Sequence, residues 1–203
     1  YGANTKMPFS EHDSANHPLS IYAASKKSNE LMAHSYSYLY KLNTTGLRFF
    51  TVYGPWGRPD MAYFIFTKSI INETPIKIFN NGNMHRDFTY IDDIIDAIMR
   101  LIDKIPLKNS DFNFTNPNPS TSWAPYKIFN LGNASPVKLM HFIEEIEKAL
   151  DKKAIKLFMP MQQGDVEGTE ANIDYLHSWI GFKPKTSLKD GIEKFVNWYK
   201  NYY

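Results

Sequence analysis

The feature of this sequence that most restricts its fold is the alternation of short apolar runs with longer segments of helical spacing. Such alternation is typical of α/β domains with parallel strands. The predicted strands are 44–50, 76–79, 88–90 and 127–131, and the predicted helices are 21–40, 61–72, 92–104, 136–150, 173–180 and 187–202. Asp92 and Asp93 are expected to cap the third helix, since acids are favourable at a helix N-terminus. The polar segment 109–125 predicts a long loop.

Composition excludes several classes of protein. The 203 residues carry 23 Lys and Arg against 21 Asp and Glu, so the net charge of +2 gives no electrostatic reason to expect nucleic-acid or membrane binding. The absence of Cys excludes disulfides and Cys-based zinc sites and fits a reducing, cytoplasmic compartment. No apolar run reaches the roughly 18 residues of a membrane span. The six His show no ligand-type pairing, so no metal site is expected.

One spacing within the predicted helix 21–40 has a clear chemical meaning. Tyr22 and Lys26 lie four residues apart, so a helix places them on one face. A phenol has an ordinary pKa of about 10, and a neighbouring cation lowers it by stabilising the phenolate. Such a pair can accept a hydroxyl proton while a hydride leaves the same carbon. The spacing is equally compatible with an exposed helix pair that has no catalytic role.

Other motifs surround this pair in a definite order. They are Tyr1-Gly2, Pro18 to Lys26, Arg48 to Asp60, Arg86 to Asp93, Gly164-Asp165-Val166 and Gly181-Phe182-Lys183-Pro184. Together they resemble the second half of the extended short-chain dehydrogenase/reductase family, which includes the NAD-dependent nucleotide-sugar epimerases. The resemblance covers essentially the whole chain. It implies the C-terminal part of a Rossmann-type parallel-sheet domain plus a small α/β substrate-binding domain.

Within that family the sequence is most similar to the UDP-glucuronate 4-epimerases. The segment Thr51 to Ala62 and the insertion Thr121 to Tyr126 carry this similarity. UDP-glucose 4-epimerases tend to have Asn in place of Thr51 and Arg in place of Gln162. A uronate presents a carboxylate, for which Thr51 and Arg58 supply a hydroxyl and a cation from one loop. A UDP-glucose or UDP-N-acetylglucosamine 4-epimerase and a UDP-glucuronate decarboxylase remain alternatives.

The resemblance implies NAD as the cofactor and a defined reaction. Tyr22 would remove the proton of the C4 hydroxyl while the C4 hydride passes to NAD+. The 4-keto intermediate would then turn over and take the hydride back on its other face. Lys26 would hold the nicotinamide ribose, with Phe49 and Val52 beside the cofactor. The product would be UDP-galacturonate, a precursor for surface or capsular polysaccharide.

For the UDP-sugar, the resemblance implies a set of binding residues. They are Thr51, Arg58, Phe79, Asn80, Arg86 and Asp165. Arg86 would anchor the diphosphate, Asp165 would accept from the uridine ribose, and Phe79 with Asn80 would line the uracil site.

Several of these residues also have a simpler structural interpretation. Arg58 can form a salt bridge with Asp60, and Thr51 can serve as a turn hydroxyl. Asp165 can be an ordinary turn acid, and Phe79 can be a core aromatic residue.

The resemblance further predicts the domain organisation. The family's Gly-rich dinucleotide loop, which binds the pyrophosphate of NAD, is not among these residues. Residues 1–60 are therefore expected to be the C-terminal portion of a Rossmann domain, and 61–203 mainly the UDP-sugar-binding domain, with returns to the Rossmann domain. The isolated chain is expected to be inactive; a non-catalytic nucleotide-sugar-binding module is the alternative of another class. The helix 21–40 is a candidate homodimer interface.

Overall fold

The computed structural model describes residues 1–162 and 164–203, which form two compact units. Unit 1 consists of Tyr1–Phe50, Ile95–Ala134 and Glu170–Lys183, and unit 2 consists of Thr51–Ile94, Ser135–Thr169 and Pro184–Tyr203. Each unit is therefore assembled from three segments that lie far apart in the sequence. The predicted division into 1–60 and 61–203 concerns the domains of a whole protein and stays a prediction.

Helices and strands alternate along most of the chain. The helices are α1 (Ile21–Tyr40), α2 (Ala62–Ile71), α3 (Ile91–Ile102), α4 (Leu139–Leu150), α5 (Asp174–Ile180) and α6 (Leu188–Tyr202). The strands are β1 (Thr44–Phe49), β2 (Thr51–Tyr53), β3 (Ile76–Ile78), β4 (His85–Tyr90), β5 (Tyr126–Leu131), β6 (Pro136–Lys138) and β7 (Lys156–Phe158). Every helix predicted from the sequence is present. None of the helices in the described part of the chain combines the length and apolar character needed to cross a bilayer.

Parallel pairing dominates the sheets, as the alternation of strands and helices predicts. In unit 1, β1 pairs in parallel with β5, from Thr44 opposite Tyr126 to Phe49 opposite Leu131. In unit 2, β2 pairs in parallel with β4, and β3 with β7. Among the strands of residues 1–162 and 164–203, only β4 and β6 form an antiparallel ladder. The predicted α/β class is confirmed.

The predicted helix 136–150 is wrong at its start. Pro136–Lys138 forms strand β6, whose register places Pro136 opposite Asp87 of β4, and α4 begins only at Leu139. Proline suits this position because it has no N–H to offer a further ladder hydrogen bond. A proline is equally favourable in the first turn of a helix. The choice between the two is therefore made by the distant strand β4, which local spacing does not reveal.

Asp92 and Asp93 lie in the first turn of α3, as predicted, but Asp93 also has a tertiary role. Its side chain is buried, and its Oδ2 accepts the backbone N–H of Thr186 at 3.0 Å. Asp93 thereby ties the start of α3 to the segment that precedes α6 in unit 2.

Aromatic side chains dominate the core of unit 2. Phe142 of α4 is fully buried and stacks on Phe88 of β4, with ring centroids 3.9 Å apart. Phe195 of α6 packs edge-on against Tyr63 of α2 at 4.9 Å. Such rings bury a large apolar area, and truncating one typically costs about 3–5 kcal/mol. These contacts fix α2, α4 and α6 around β4.

Gly191 in α6 gives a test of this packing. A Cβ at Gly191 would overlap the hydroxyl of the buried Tyr53. In an open helix Gly→Ala stabilises by about 1 kcal/mol, whereas here we expect Gly191→Ala to lower the free energy of unfolding by about 1–3 kcal/mol. Chemical denaturation measures the difference. Adding Tyr53→Phe should recover part of the loss; a more stable Gly191→Ala protein would contradict this packing.

Candidate active site

Helix α1 presents Tyr22 and Lys26 together on an exposed face. Ser20 caps the helix, since its hydroxyl accepts the N–H of Ala23 at 3.1 Å. The helix therefore begins at Ile21, immediately before Tyr22. The Tyr22 side chain is 69% exposed, and Nζ of Lys26 lies 5.2 Å from the centroid of its ring. The phenol and the ammonium group are thus neighbours at a surface that a ligand can reach.

An adjacent side of α1 is held in unit 1 by a largely buried ion pair. Arg48 of β1 donates to Glu30 of α1 from Nε at 2.7 Å and from Nη2 at 3.0 Å, with side chains only 13% and 18% exposed. Lys27 donates to the same carboxylate at 3.1 Å. Burial alone would raise the pKa of Glu30. The hydrogen bonds and charges of Arg48 and Lys27 outweigh it and hold that pKa below its ordinary value.

Glu30 was not identified from the sequence as a residue that supports the site. A signal did exist, because Arg48 is one of only four Arg among 23 basic residues. In a chain whose basic residues are mostly Lys, an Arg supplies a rigid, bidentate donor that Lys cannot. The partner of that Arg lies 18 residues away on another element and cannot be read from local spacing.

Two residues predicted beside the cofactor, Phe49 and Val52, and the predicted substrate residue Thr51 are divided between the two units. Phe49 ends β1 in unit 1 and is 51% exposed. Thr51 and Val52 begin β2 in unit 2, opposite Phe88 and Thr89 of β4. Backbone pairing therefore fixes where Thr51 and Val52 lie on their sheet. The roles assigned to these three residues stay predictions.

In the loop after β2, Arg58 forms the salt bridge that its simpler interpretation proposed. Its Nε and Nη2 donate to the two carboxylate oxygens of Asp60 at 3.0 and 2.7 Å. The side chains are 71% and 66% exposed, so the pair lies in solvent. The hydrogen bonds from Arg58 hold the pKa of Asp60 below its ordinary value. The guanidinium fork is therefore already presented to a carboxylate.

Arg86 and Asp165, which were predicted to bind different parts of the nucleotide, contact one another directly. Nη2 of Arg86 donates to Oδ1 of Asp165 at 2.8 Å, with side chains 18% and 35% exposed. Nη1 of Arg86 also donates to the backbone oxygens of His85 at 2.9 Å and Glu167 at 3.1 Å. Burial lowers the pKa of Arg86, and Asp165 opposes this effect. The guanidinium group is thereby held in one orientation in unit 2.

Phe79 and Asn80, predicted to line a uracil site, lie in a short 3₁₀ segment at Phe79–Gly82 that follows β3. Asn80 has a left-handed backbone with φ 50°, a conformation that Asn tolerates better than most residues. Its Nδ2 donates to the backbone oxygen of Asn83 at 2.9 Å, which closes the turn. Both side chains are half-buried. Their predicted contact with a base stays a prediction.

The described residues contain no metal centre. Within residues 1–162 and 164–203, no group of three or more His, Asp or Glu side chains is arranged to hold a metal ion.

Comparison with known proteins identifies the family. The model of the NAD dependent epimerase/dehydratase family matches residues 1–114, which is more than half of the 203-residue chain. The chain belongs to this family. The resemblance inferred from the motifs is confirmed, as are the predictions of an enzyme family and of NAD as its cofactor.

Relatives of this epimerase/dehydratase chain match it over its whole length. Protein CapI of Staphylococcus aureus is 60% identical and aligns with 100% of this chain and 61% of its own length. A probable UDP-glucuronate 4-epimerase of Rhizobium meliloti is 51% identical, with coverage of 100% and 60%. The UDP-glucuronic acid 4-epimerase of Bacillus cereus, solved with UDP-glucuronic acid and NAD, has a TM-score of 0.78 at 29% identity, covering 100% of this chain and 60% of that chain. The chain thus spans about three fifths of these relatives.

The residues of α1 in this epimerase/dehydratase chain fit the nicotinamide end of NAD. The ribose beside the nicotinamide offers hydroxyl groups, which a phenol and an ammonium group can both hydrogen-bond. Tyr22 and Lys26 are both exposed, so a ligand can reach both groups. The donor set of α1 therefore suits that part of the cofactor.

The buried ion pair under α1 gives a test of how the helix is held. We expect Glu30→Gln to lower the free energy of unfolding by about 3–5 kcal/mol, because Arg48 keeps a buried charge that has lost its partner. Chemical denaturation at pH 7 measures the loss. As a matched control, Asp96→Asn removes an exposed pair with Arg100 in the same unit and should cost less than about 1 kcal/mol.

The lowered pKa of Glu30 also sets a pH dependence. The stability that Glu30 supplies should be fully present above its ordinary pKa of about 4.5, and should be lost as the pH falls through the lower pKa of the folded state. Glu30→Gln should remove this part of the acid sensitivity. Equal costs for the buried and exposed pairs, or an unchanged acid profile, would contradict the assignment.

Proposed function

We propose that this chain is the part of an NAD-dependent epimerase that carries its acid–base pair and most of its UDP-sugar contacts. The whole protein would interconvert UDP-glucuronate and UDP-galacturonate by inversion at C4. The observation that carries the proposal is the exposed pair on α1, where Lys26 Nζ lies 5.2 Å from the Tyr22 ring. The names of the relatives, which include UDP-glucuronate 4-epimerases, support the choice of substrate.

Tyr22 would act as the base. Its phenol oxygen would accept the proton of the C4 hydroxyl, with the ammonium group of Lys26 beside it on the same face of the helix. NAD+ supplies the hydride acceptor when it is bound. Lys26 would hydrogen-bond the ribose next to the nicotinamide, and Tyr22 would hold the proton until it returns to the sugar oxygen. Ser20 and the Glu30–Arg48 pair fix α1, so the helix that carries both groups is already in place before the proton transfer.

The uronate carboxylate would be bound by the loop after β2. Arg58 already donates two hydrogen bonds to the carboxylate of Asp60, and both side chains are exposed to solvent. A sugar carboxylate can replace Asp60 with the same bidentate geometry, so the exchange preserves the number of charge-assisted hydrogen bonds. Thr51, at the start of β2, would add a hydroxyl donor.

Arg86 would bind the diphosphate and Asp165 the uridine ribose. The guanidinium group of Arg86 is held by two backbone oxygens and by Asp165, so a phosphate oxygen would meet a cation that is already oriented. Asp165 also accepts the N–H of Val166 at 2.8 Å, which orients its carboxylate.

A homodimer through α1 also remains part of the proposal. Ile21, Met32 and Tyr36 on this helix are 88%, 56% and 59% exposed. Exposed apolar groups of this kind suit a helix-to-helix contact with a second copy. The cytoplasmic location, the polysaccharide that would use the product and the inactivity of this chain alone also stay predictions.

Replacing Tyr22 tests the acid–base assignment. In the full-length protein, Tyr22→Phe should reduce epimerisation of UDP-glucuronate by about a thousandfold, because the substituted ring has no hydroxyl group to take the proton. The NAD content should stay unchanged. Tyr36→Phe is the matched control, since Tyr36 is exposed on the same helix. Retained activity in Tyr22→Phe, or an equal loss in the control, would remove Tyr22 from the mechanism.

Replacing Arg58 tests the uronate assignment. Arg58→Ala in the full-length protein should weaken UDP-glucuronate binding by roughly tenfold, equivalent to about 1.4 kcal/mol. UDP-glucose, which has no carboxylate, should bind about as before. Calorimetry with the two nucleotide sugars measures both. Equal weakening for both would assign Arg58 to the loop structure and favour a neutral-sugar epimerase.

A further inference from the structure

The loop between β2 and α2 contains an aromatic residue in a strained backbone conformation. Gly57 donates its N–H to the carbonyl of Gly54 at 3.3 Å, which closes a turn with Pro55 and Trp56 at its central positions. Trp56 has φ 62°, in the left-handed region. A turn with Pro first and a left-handed residue second normally has Gly at the second position. The chain has Trp there, so a compensating interaction is expected.

The compensating interaction is an aromatic contact with the C-terminal helix of the same unit. The ring of Trp56 lies 5.4 Å from that of Trp198 and 4.8 Å from that of Tyr202, both on α6. Trp198 and Tyr202 are themselves stacked, at 5.4 Å and 15° between their planes. Edge-on and offset contacts at these separations are favourable. The indole of Trp56 therefore fastens the tip of the loop to α6.

A second anchor acts on the next residue of the loop. A side chain on Gly57 would overlap the hydroxyl of Tyr63, which is buried in the core of unit 2. The backbone at Gly57 therefore rests directly on the Tyr63 ring. Two successive loop residues are thus fixed immediately before Arg58, whose carbonyl in turn accepts the N–H of Met61 at 3.1 Å.

The contact of Trp56 with α6 adds little to the hydrophobic core of unit 2. The Trp56 side chain is 72% exposed, so it buries little apolar surface, and Gly at this position would relieve the backbone strain. Backbone strain at an exposed residue, with its side chain held on one edge, is expected where a loop must keep a fixed position for function. The residue positioned here is Arg58, two residues further along the chain.

We propose that Trp56 is a positioning residue, which holds the Arg58 loop against Trp198 and Tyr202 so that the guanidinium fork is placed for a sugar carboxylate before the ligand arrives. This inference rests on the uronate role of Arg58 in the proposed function. On this proposal, Trp198 and Tyr202 of α6 also contribute to uronate specificity, although α6 itself needs no contact with the sugar.

The test uses the full-length, NAD-loaded protein with three substitutions. Trp56→Gly removes the anchor and relieves the strain, Trp56→Phe keeps an aromatic ring, and Tyr202→Ala removes part of the contact from the side of α6. Phe114→Ala is the matched control, because Phe114 is a loop aromatic residue of similar exposure, 70%, in unit 1. Calorimetry gives the dissociation constants of UDP-glucuronate and UDP-glucose, and hydrogen exchange measures the protection of the loop amides at 54–61.

With Trp56→Gly we expect faster exchange in the loop, about tenfold weaker binding of UDP-glucuronate and nearly unchanged binding of UDP-glucose. Tyr202→Ala should change both readouts in the same direction but less. Trp56→Phe should retain most of the wild-type affinity, and Phe114→Ala all of it.

Two results would overturn the proposal. Unchanged exchange in the loop would show that Trp56 does not hold it, whatever the ligand. Faster exchange with no preferential loss of UDP-glucuronate would show that the position of the loop does not determine uronate binding. In that case Arg58→Ala separates the causes: if it also fails to discriminate between the two sugars, the proposed role of Arg58 is wrong, and otherwise only the role of Trp56 is.

Discussion

The ion pair between Glu30 and Arg48 is the constraint on which the geometry of α1 depends. Successive residues of a helix turn by about 100°, so Lys26 lies about 40° and Glu30 about 80° around the axis from Tyr22. Drawing Glu30 inward to β1 therefore sets the rotation of the whole helix and leaves Tyr22 and Lys26 at the exposed edge. We therefore expect a change at Glu30 to alter the orientation of Tyr22 without a direct contact between the two side chains.

Unit 2 uses its two arginines near the predicted substrate contacts in different ways. Arg58 pairs with Asp60 in solvent, with both side chains about two thirds exposed. Arg86 is mostly buried and is held by Asp165 and two backbone oxygens. The first pair can exchange its partner easily, whereas the second keeps a fixed orientation. Because Arg58 carries its own carboxylate, a neutral sugar leaves no unpaired cation behind, and the penalty against such a sugar is correspondingly modest.

Features fixed by neighbouring residues were predictable from the sequence, and features fixed by distant partners were not. The bounds of α1 follow from the Ser20 cap and from a run with almost no helix breakers, and the predicted and observed ranges agree. The predicted start of α4 was wrong because Pro136–Lys138 pairs with a strand about fifty residues earlier in the chain.

The same distinction holds for the candidate site. The proximity of Tyr22 and Lys26 follows from a four-residue interval. The direct contact of Arg86 with Asp165 spans 79 residues and was not predicted. The backbone strain at Trp56 was not predictable either, because a Pro-Trp dipeptide does not indicate a left-handed conformation at its second residue.

The interleaved construction of the two units has a consequence for how the chain forms on the ribosome. Unit 1 takes its last segment from Glu170–Lys183, and unit 2 takes its last from Pro184–Tyr203. Unit 1 cannot complete its core before residue 183 has been synthesised, and unit 2 cannot do so before α6 is made and packs against α2 and α4. Contacts between such distant segments slow folding. During translation the aromatic faces of α2 and α4 therefore stay uncovered until α6 has been made.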